Sequence, residues 1–339
     1  MPVGEIKAAA KRKIKDKAVK TVTRKVSGGG RGGGKNSGKK KSPILIIVVL
    51  LIVVGAAIAA WQFGLFDSLL NMGDTEPSVT RADVDGSIEI HFIDVGQADA
   101  TFIVTEAGTM LIDAGSRRSG PRVVEYLQEM GITEITYVVA THPHEDHIGG
   151  MDLILNGFTV GHVLLPDISH TTRTYERMVE AIETHNISTS APLAGHTFEM
   201  GDVAFTVIHP STNNNGRNLN NWSLSLRVDF GNVSMITTGD AEVPAEREMI
   251  ATGINLQADI LRLGHHGSRT STAQEFLDAV NPSIAIIQVG EDNDYGHPHS
   301  EVMDRLYEAG LRIYRNDHHG NIVLTTDGTS IDIRTERAG

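Results

Sequence analysis

The feature of this sequence that most constrains its fold is a cluster of histidine and acidic residues directly after an apolar segment. The segment ITYVVA, residues 135–140, has the composition of a buried strand. It is followed by His142, His144, Asp146 and His147. Imidazole and carboxylate groups are the ligands that proteins offer to zinc, manganese and iron. The spacing H-x-H-x-D-H therefore predicts a metal site at a strand end, and the alternative is a chance cluster of surface histidines.

Two further groups of candidate ligands also follow apolar segments. Asp240 comes after VSMITT, residues 233–238, and its two carboxylate oxygens could each take one metal ion. His265 and His266 come after ADILRL, residues 258–263. Each of these residues taken alone has a simpler interpretation as part of a turn or loop. Taken with the histidine cluster, their position at strand ends favours a metal site.

Several segments resemble one known family. The spacing H-x-H-x-D-H resembles the signature of the metallo-β-lactamase superfamily. The segments FIDVGQADA (residues 92–100), LIDAG (111–115) and VGEDNDYGHPH (289–299) resemble the C-terminal hydrolase domain of ComEC-type competence proteins. Ala98 stands where that pattern often has glycine. The resemblance covers residues 88–334, whereas the membrane-channel portion of full ComEC proteins is absent.

The resemblance implies two divalent metal ions, zinc or alternatively manganese. His142 and His144 would hold the first ion, Asp146 and His147 the second, and Asp240 would bridge the two. His265 or His266 would complete the second site, and the sequence does not choose between them. Catalytic roles are expected for Asp146, Asp240 and His297, the last holding a phosphate oxygen or protonating a leaving group. Residues expected to support the ligands or touch substrate are Asp94, Asp99, Asp113, Asn221 and His299.

The resemblance implies that the chain is a metal-dependent hydrolase, in which two metal ions activate a water molecule. The expected substrate is a phosphodiester, and the resemblance to ComEC-type proteins implies that this phosphodiester is DNA. Hydrolysis of a lactone, thioester or β-lactam on the same fold is one alternative. The chain has no cysteine. This disfavours β-lactam hydrolysis, because the β-lactamases that use cysteine have a thiolate near the position that corresponds to Asp240. A non-catalytic, membrane-tethered competence accessory module is the other alternative.

Charge divides the chain into a basic tail and an acidic body. Residues 1–42 contain 14 Lys or Arg and two acidic residues, a net charge of +12, so the −12 of the whole chain leaves −24 for residues 43–339. We expect the tail to be disordered, because it cannot bury enough apolar surface to fold alone. The acidic body argues against tight nucleic-acid binding by bulk charge. Phosphate chemistry would therefore need a local positive charge, which divalent ions can supply.

An apolar run at residues 43–66 predicts a membrane helix. Gln62 is its only strongly polar residue, and as a helix the run would span roughly 36 Å, enough for a bilayer core of ~30 Å. Because lysines precede this run, we expect the tail to lie in the cytoplasm and the residues after the helix to lie on the extracytoplasmic side of the cell membrane. A cleaved signal peptide is the alternative. Residues 67–87 are expected to be a linker and residues 88–339 the hydrolase domain. The sequence does not indicate an obligate protein partner.

Strand-like and helix-like segments alternate through residues 88–339. Two mixed halves of this kind predict a β-sandwich flanked by helices. Together with the resemblance, the predicted fold class is α/β (α+β), a four-layer αββα sandwich preceded by one transmembrane helix. The helices predicted within the domain are residues 122–130, 174–185, 245–251, 272–280 and 301–309.

Overall fold

Two mixed β-sheets packed face to face form the centre of the computed structural model, which describes residues 86–212 and 216–339. The predicted tail (1–42), the predicted membrane helix (43–66) and nearly all of the predicted linker (67–87) lie outside the described residues. Within the described part of the chain, no helix is both long enough and apolar enough to cross a membrane.

The first sheet has eight strands in the order β15-β14-β1-β2-β3-β4-β5-β6. Strands β3 to β6 pair in parallel, whereas the other neighbours in this sheet are antiparallel. The strands are β1 Ile88–Phe92, β2 Thr101–Thr105, β3 Gly108–Ile112, β4 Glu134–Val139, β5 Thr159–Leu164, β6 Ser188–Ser190, β14 Ile322–Thr326 and β15 Ile331–Thr335.

The second sheet has seven strands in the order β13-β12-β11-β10-β9-β8-β7. Strands β10 to β13 are parallel, and every residue of β10, β11 and β12 is buried. Parallel strands covered on both faces read as continuous apolar runs, which explains VSMIT and IAII. The strands are β7 Thr197–Met200, β8 Val203–His209, β9 Ser225–Phe230, β10 Val233–Thr237, β11 Ile260–Arg262, β12 Ile284–Ile287 and β13 Arg312–Arg315.

Eight α-helices lie in the described part of the chain. Thr172 is the N-cap residue of the fourth helix, and its side chain accepts a hydrogen bond from the Tyr175 N–H. The helices are α1 Gly120–Glu129, α2 Glu145–Ile148, α3 Met151–Gly157, α4 Arg173–Thr184, α5 Val243–Ala251, α6 Gln274–Val280, α7 Ser300–Glu308 and α8 Asn316–His319. The five predicted helices are therefore confirmed to within two residues at each end. The short helices α2, α3 and α8 were not predicted.

Three apolar clusters establish the layer order. The central cluster joins the facing sides of the two sheets, for example Phe92 with Phe205. A second cluster packs the other side of the first sheet against α1, α3 and α4, through residues such as Val138 and Leu127. A third packs the other side of the second sheet against α5, α6 and α7. The predicted four-layer αββα sandwich is confirmed for the described residues.

Close backbone contacts link the first helical layer to the loop that follows β4. Gly150, at the start of α3, packs against Gly120, at the start of α1. A Cβ on Gly150 would lie 2.6 Å from the Gly120 Cα and would overlap the Ala114 carbonyl oxygen. Only glycine fits here, and the contact holds the histidine loop against the segment after β3.

Candidate metal centre

The loop after β4 carries the histidine cluster and is held by Asp113, the residue that follows β3. Thr141 donates twice to this carboxylate, from its backbone N–H at 2.9 Å and from its hydroxyl at 2.7 Å. His144 occupies the N-cap position of α2, and the first turn of α2 contains Asp146 and His147. A regular strand would point alternate side chains to one side. The loop and helical turn instead arrange the candidate ligands around a common centre.

His142, His144 and Asp240 form the first group of candidate ligands, with one ligand atom of each within 4.8 Å of the others. His142 Nε2 lies 2.9 Å from His144 Nδ1 and 3.8 Å from Asp240 Oδ2. The turn that follows β10 places Asp240, whose backbone N–H donates to the Ser223 hydroxyl at 3.0 Å. Residues nearly a hundred positions apart in sequence therefore meet at one point.

Asp146, His147, Asp240 and His266 form the second group by the same distance criterion. His147 Nε2 lies 3.2 Å from Asp240 Oδ2 and 3.8 Å from Asp146 Oδ2. His266 Nε2 lies 3.3 Å from Asp146 Oδ2 and 3.8 Å from Asp240 Oδ1. Asp240 belongs to both groups: its Oδ2 faces His142 of the first group and His147 of the second, and its Oδ1 faces His266 of the second. A carboxylate shared in this way can contribute ligand atoms to two ions.

The residues present fit a pair of divalent cations. Asp240 Oδ1 and His147 Nε2 are buried and have no hydrogen-bond partner among the described residues. Leaving such an atom unpaired costs about 1–3 kcal/mol. Both residues belong to ligand groups that combine imidazole nitrogen with carboxylate oxygen. This combination of ligand atoms suits zinc and other divalent metals.

The two adjacent histidines after β11 differ in their surroundings. His266 is 1% exposed, and its Nδ1–H donates to the Gln288 carbonyl at 2.9 Å, so Nε2 is left for a metal. His265 Nδ1 lies 3.1 Å from the Thr270 hydroxyl, and His265 Nε2 lies 3.8 Å from Asp240 Oδ2. Of the two, only His266 belongs to the second group of candidate ligands. His265 instead lines the cleft beside that group.

Asp113 and Asp99 lie behind the candidate ligands. Asp113 Oδ2 accepts a hydrogen bond from His147 Nδ1 at 2.7 Å, which turns His147 Nε2 towards Asp240. Asp99 lies 3.2 Å from His266 Nδ1 and 3.5 Å from His147 Nδ1. Carboxylates in such positions fix the tautomer and orientation of metal-binding histidines. Both residues were predicted to support the ligands, and the structure places them where they can.

Sequence reasoning missed Arg262, a fully buried arginine in β11. Its guanidinium contacts the Asp99 carboxylate directly. It also donates to the Gly239 carbonyl at 2.9 Å and to Gln288 Oε1 at 3.3 Å. Arg262 thus neutralises a buried carboxylate and holds the residue before Asp240. The available signal was a basic residue inside the largely apolar run ADILRL, three positions before a candidate ligand pair.

Carboxylates dominate the electrostatics of the centre. Burial disfavours the charged form of His147, but Asp240, Asp146 and Asp113 outweigh it and hold the His147 pKa well above the usual range. Burial also opposes ionisation of Asp240, yet nearby histidines, chiefly His147, hold its pKa well below the usual range. The pKa of His142 lies well below the usual range because of burial and the charge of His147. The surroundings therefore favour ionised carboxylates and a positive charge at the position between them.

A cleft of about 330 Å³ gives access to both groups. His297 lies at its edge, and the exposed ring of Tyr295 stacks on the His297 ring at a centroid distance of 5.5 Å. Burial, reinforced by His266 and His265, lowers the pKa of His297 to about 4, so its imidazole is neutral near pH 7. The residues that line the cleft are Gln97, His144, Glu145, Asp146, Asn220, Asp240, His265, His266, Tyr295 and His297.

The remaining predicted residues lie around the cleft rather than in it. Asp94 accepts hydrogen bonds from the Gly96 N–H and from Arg337, so its carboxylate is engaged away from the ligand groups. Asn221 accepts from the Glu242 N–H at 3.2 Å, a turn contact two residues after Asp240.

His299 is the N-cap residue of α7, and its ring accepts from the Arg269 N–H at 3.1 Å. His209 is a further buried histidine, at the end of β8. Its Nδ1 donates to the Ser223 carbonyl at 2.9 Å. It belongs to neither ligand group at the cleft.

The family model described as the metallo-beta-lactamase superfamily matches residues 93–291, which include every candidate metal ligand. The chain belongs to the metallo-β-lactamase superfamily. Among curated proteins it is similar to ComE operon protein 3 of Bacillus subtilis (strain 168), with 31% identity over 252 residues, 69% of this chain and 32% of the relative. Recombination protein 2 of Haemophilus influenzae is 32% identical over 254 residues, 74% of this chain and 30% of the relative.

This member of the metallo-β-lactamase superfamily spans about a third of the length of those two curated relatives. Among solved structures, the metallo-beta-lactamase fold protein YhfI from Bacillus subtilis matches with a TM-score of 0.47 and 12% identity. That match covers 71% of this chain and 100% of YhfI.

Proposed function

We propose that this chain is a phosphodiesterase that requires two divalent metal ions. The observation that carries the proposal is that two groups of candidate ligands share Asp240 at the base of one cleft. His142 and His144 would hold one ion, and Asp146, His147 and His266 the other. Two divalent ions bound there would lower the pKa of water and neutralise phosphate oxygens. Zinc is the expected metal and manganese the alternative.

The charge of the cleft supports a metal-dependent reaction on a phosphate group. None of the described residues that line the cleft is lysine or arginine. A phosphodiester anion would therefore meet only histidine rings, carboxylates and neutral side chains from the protein itself. Since carboxylates repel an anion, substrate binding should depend strongly on the metal ions.

His297 is proposed as a hydrogen-bond donor to the phosphate. A neutral imidazole carries one N–H and one acceptor nitrogen. Because the pKa of His297 is about 4, this ring is better suited to donate a hydrogen bond to a phosphate oxygen than to deliver a proton near pH 7. Stabilisation of developing charge by a fixed donor is typically a large contribution to catalysis.

The proposed natural substrate is DNA, and the proposed location is the outer face of the cell membrane. The names of two similar proteins, Recombination protein 2 and Competence protein ComA, refer to processes that involve DNA. Residues 43–66 are proposed as a single-pass anchor, with lipid as the partner of that segment. The excess of acidic residues after residue 42 argues against tight binding along a DNA duplex, so a short or unpaired strand is the simpler substrate.

The proposal is tested with the purified full-length chain, wild type and Asp240→Asn. Metal content and turnover of bis-p-nitrophenyl phosphate, nitrocefin and an acyl lactone are measured together. We expect wild type to hydrolyse the phosphodiester, and Asp240→Asn to bind about one ion fewer per chain and to lose at least ~100-fold in turnover, the upper end for residues that merely support ligands. Asp332→Asn, an exposed change in β15, is the matched control.

Three results would contradict the proposal. Turnover of nitrocefin or of the lactone without turnover of the phosphodiester would move the reaction to carbonyl chemistry. Wild-type turnover in Asp240→Asn would remove the shared carboxylate from the mechanism. A preparation exposed to zinc and manganese that holds no stoichiometric metal would instead favour a non-catalytic module.

A further inference from the structure

Gln97 connects the segment after β1 to the loop that carries His297. The backbone N–H of Gly290 donates to Gln97 Oε1 at 3.1 Å. Gln97 Nε2 lies 3.3 Å from His297 Nδ1. Both contacts join residues about two hundred positions apart, and Gln97 also lines the cleft.

The two contacts together determine which nitrogen of His297 carries the proton. A backbone N–H can only donate, so the atom of Gln97 that faces Gly290 must be the amide oxygen. The other end of the amide is then the NH₂ group, which can only donate and faces His297 Nδ1. His297 Nδ1 must therefore accept, and the single proton of the neutral ring lies on Nε2.

Close packing fixes the positions of both partners. A Cβ on Gly290 would lie 2.5 Å from the backbone nitrogen of Gln97, so this approach requires glycine. On the other side, Asn293 donates to the His297 carbonyl at 2.7 Å and accepts from the His297 N–H at 2.9 Å. The stacked Tyr295 ring covers one face of the imidazole. Groups outside the pair thus hold the Gln97 amide and the backbone of His297, and Tyr295 packs against the ring.

We propose that Gln97 is a positioning residue that holds His297 in the Nε2–H tautomer, so that this N–H is the donor offered to a phosphate oxygen in the cleft. The inference rests on the proposed phosphodiesterase function for its catalytic consequence, but the tautomer itself is a property of the protein alone. The opposite tautomer would place the proton on Nδ1, against the NH₂ group of Gln97, and would leave Nε2 as an acceptor that repels a phosphate oxygen.

The tautomer is measured by nitrogen NMR on the full-length chain with ¹⁵N-labelled histidine, and the His297 signals are assigned by their loss in His297→Phe. In wild type we expect Nε2 to give the signal of a protonated nitrogen and Nδ1 that of an unprotonated nitrogen. Gln97→Met removes both hydrogen bonds at similar size, so the two tautomers should exchange and the two shifts should move towards each other. Gln97→Glu places an acceptor beside Nδ1, which should become protonated.

The catalytic consequence is measured with bis-p-nitrophenyl phosphate. A donor that acts only in the transition state changes kcat and kcat/KM equally. We expect His297→Phe to lower both by ~100-fold and Gln97→Met by ~10-fold, the lower end for a residue that supports a functional histidine. In the double variant, Gln97→Met should have no further effect, because its action passes through His297. Gln257→Met, an exposed change away from the cleft, should match wild type.

The outcomes separate this inference from the proposed function. A wild-type chain that holds metal but cleaves no phosphodiester would refute the function, while the NMR result would still decide the tautomer. A proton on Nδ1 of His297 in wild type, or unchanged histidine shifts in Gln97→Met, would overturn the inference whatever the activity. Additive losses in the double variant would show that Gln97 acts on the cleft by another route.

Discussion

Replacing Asp113 with asparagine is expected to weaken the second metal site while leaving the fold intact. Asp113 accepts from His147 Nδ1 at 2.7 Å and from Thr141 twice. An asparagine at this position can keep one of the Thr141 contacts through its carbonyl oxygen. Its NH₂ group would then face His147 Nδ1, which must lose its proton to accept. The proton moves to Nε2, and the nitrogen that faces Asp240 no longer has a lone pair for a metal.

The expected loss in metal affinity is about 10- to 100-fold, the usual effect of altering a carboxylate behind a metal-binding histidine. This corresponds to roughly 1.4–2.8 kcal/mol of binding free energy. Backbone strain should not add to it, because Asp113 has a positive φ of 60° and asparagine tolerates this conformation well. One weakened network of buried hydrogen bonds should lower the unfolding free energy by about 1–3 kcal/mol.

The assay is titration of the metal-free full-length chain with zinc and manganese in the presence of a competing chelator. The unfolding temperature is recorded for each sample. Asp94→Asn is the matched control, because Asp94 also follows a strand of the first sheet but bonds to Gly96 and Arg337 outside the ligand groups. Wild-type metal affinity in Asp113→Asn, with a folded protein, would refute the role assigned to this carboxylate.

Three further changes test the packing and charge around the centre. Gly150→Ala should lower the unfolding free energy by about 1–3 kcal/mol or more in urea titration, because its Cβ overlaps the Ala114 carbonyl, and a wild-type midpoint would contradict that overlap. Arg262→Met should lower the unfolding free energy by about 3–5 kcal/mol in the same titration, because Asp99 is then a buried carboxylate without its cationic partner. Burial raises the pKa of Glu246 from 4.5 to about 7, so its stabilising contribution is complete below about pH 4.5 and is lost as pH rises through 7, by at most roughly 3 kcal/mol. Glu246→Gln should therefore show a flatter dependence of unfolding free energy on pH between 5 and 8, and an unchanged slope would argue against the raised pKa.

Local sequence patterns were sufficient for the elements whose formation is local. The predicted helices at residues 122–130 and 174–185 correspond to α1 and α4. Pro121 indicated the start of the first, and an apolar face that includes Met178 and Ile182 indicated the second. The parallel strands β10 and β12 were visible as apolar runs because both of their faces are covered. In contrast, α2 and α8 have four residues each, too few for a helical period to appear.

The identity of most candidate ligands could also be predicted, for a physical reason. His142, His144, Asp146, His147 and Asp240 all follow apolar strands, and the strand ends of a sandwich converge on one edge. The spacing within the histidine loop is a local property of the sequence. The prediction of a membrane helix at residues 43–66 also rests on a local run of apolar residues and stays a prediction.

Tertiary packing alone decided how the residues behind those ligands are used. His265 and His266 are adjacent and chemically identical, and only the position of the Gln288 carbonyl and of Asp146 distinguishes the one that joins a ligand group. Asp94 and Asp99 share one motif, yet Asp94 bonds to the C-terminal Arg337 and Asp99 contacts the buried Arg262. Apart from the His266–Gln288 hydrogen bond, these contacts join residues more than a hundred positions apart. They depend on how the two sheets pack, and no local pattern in the sequence records that packing.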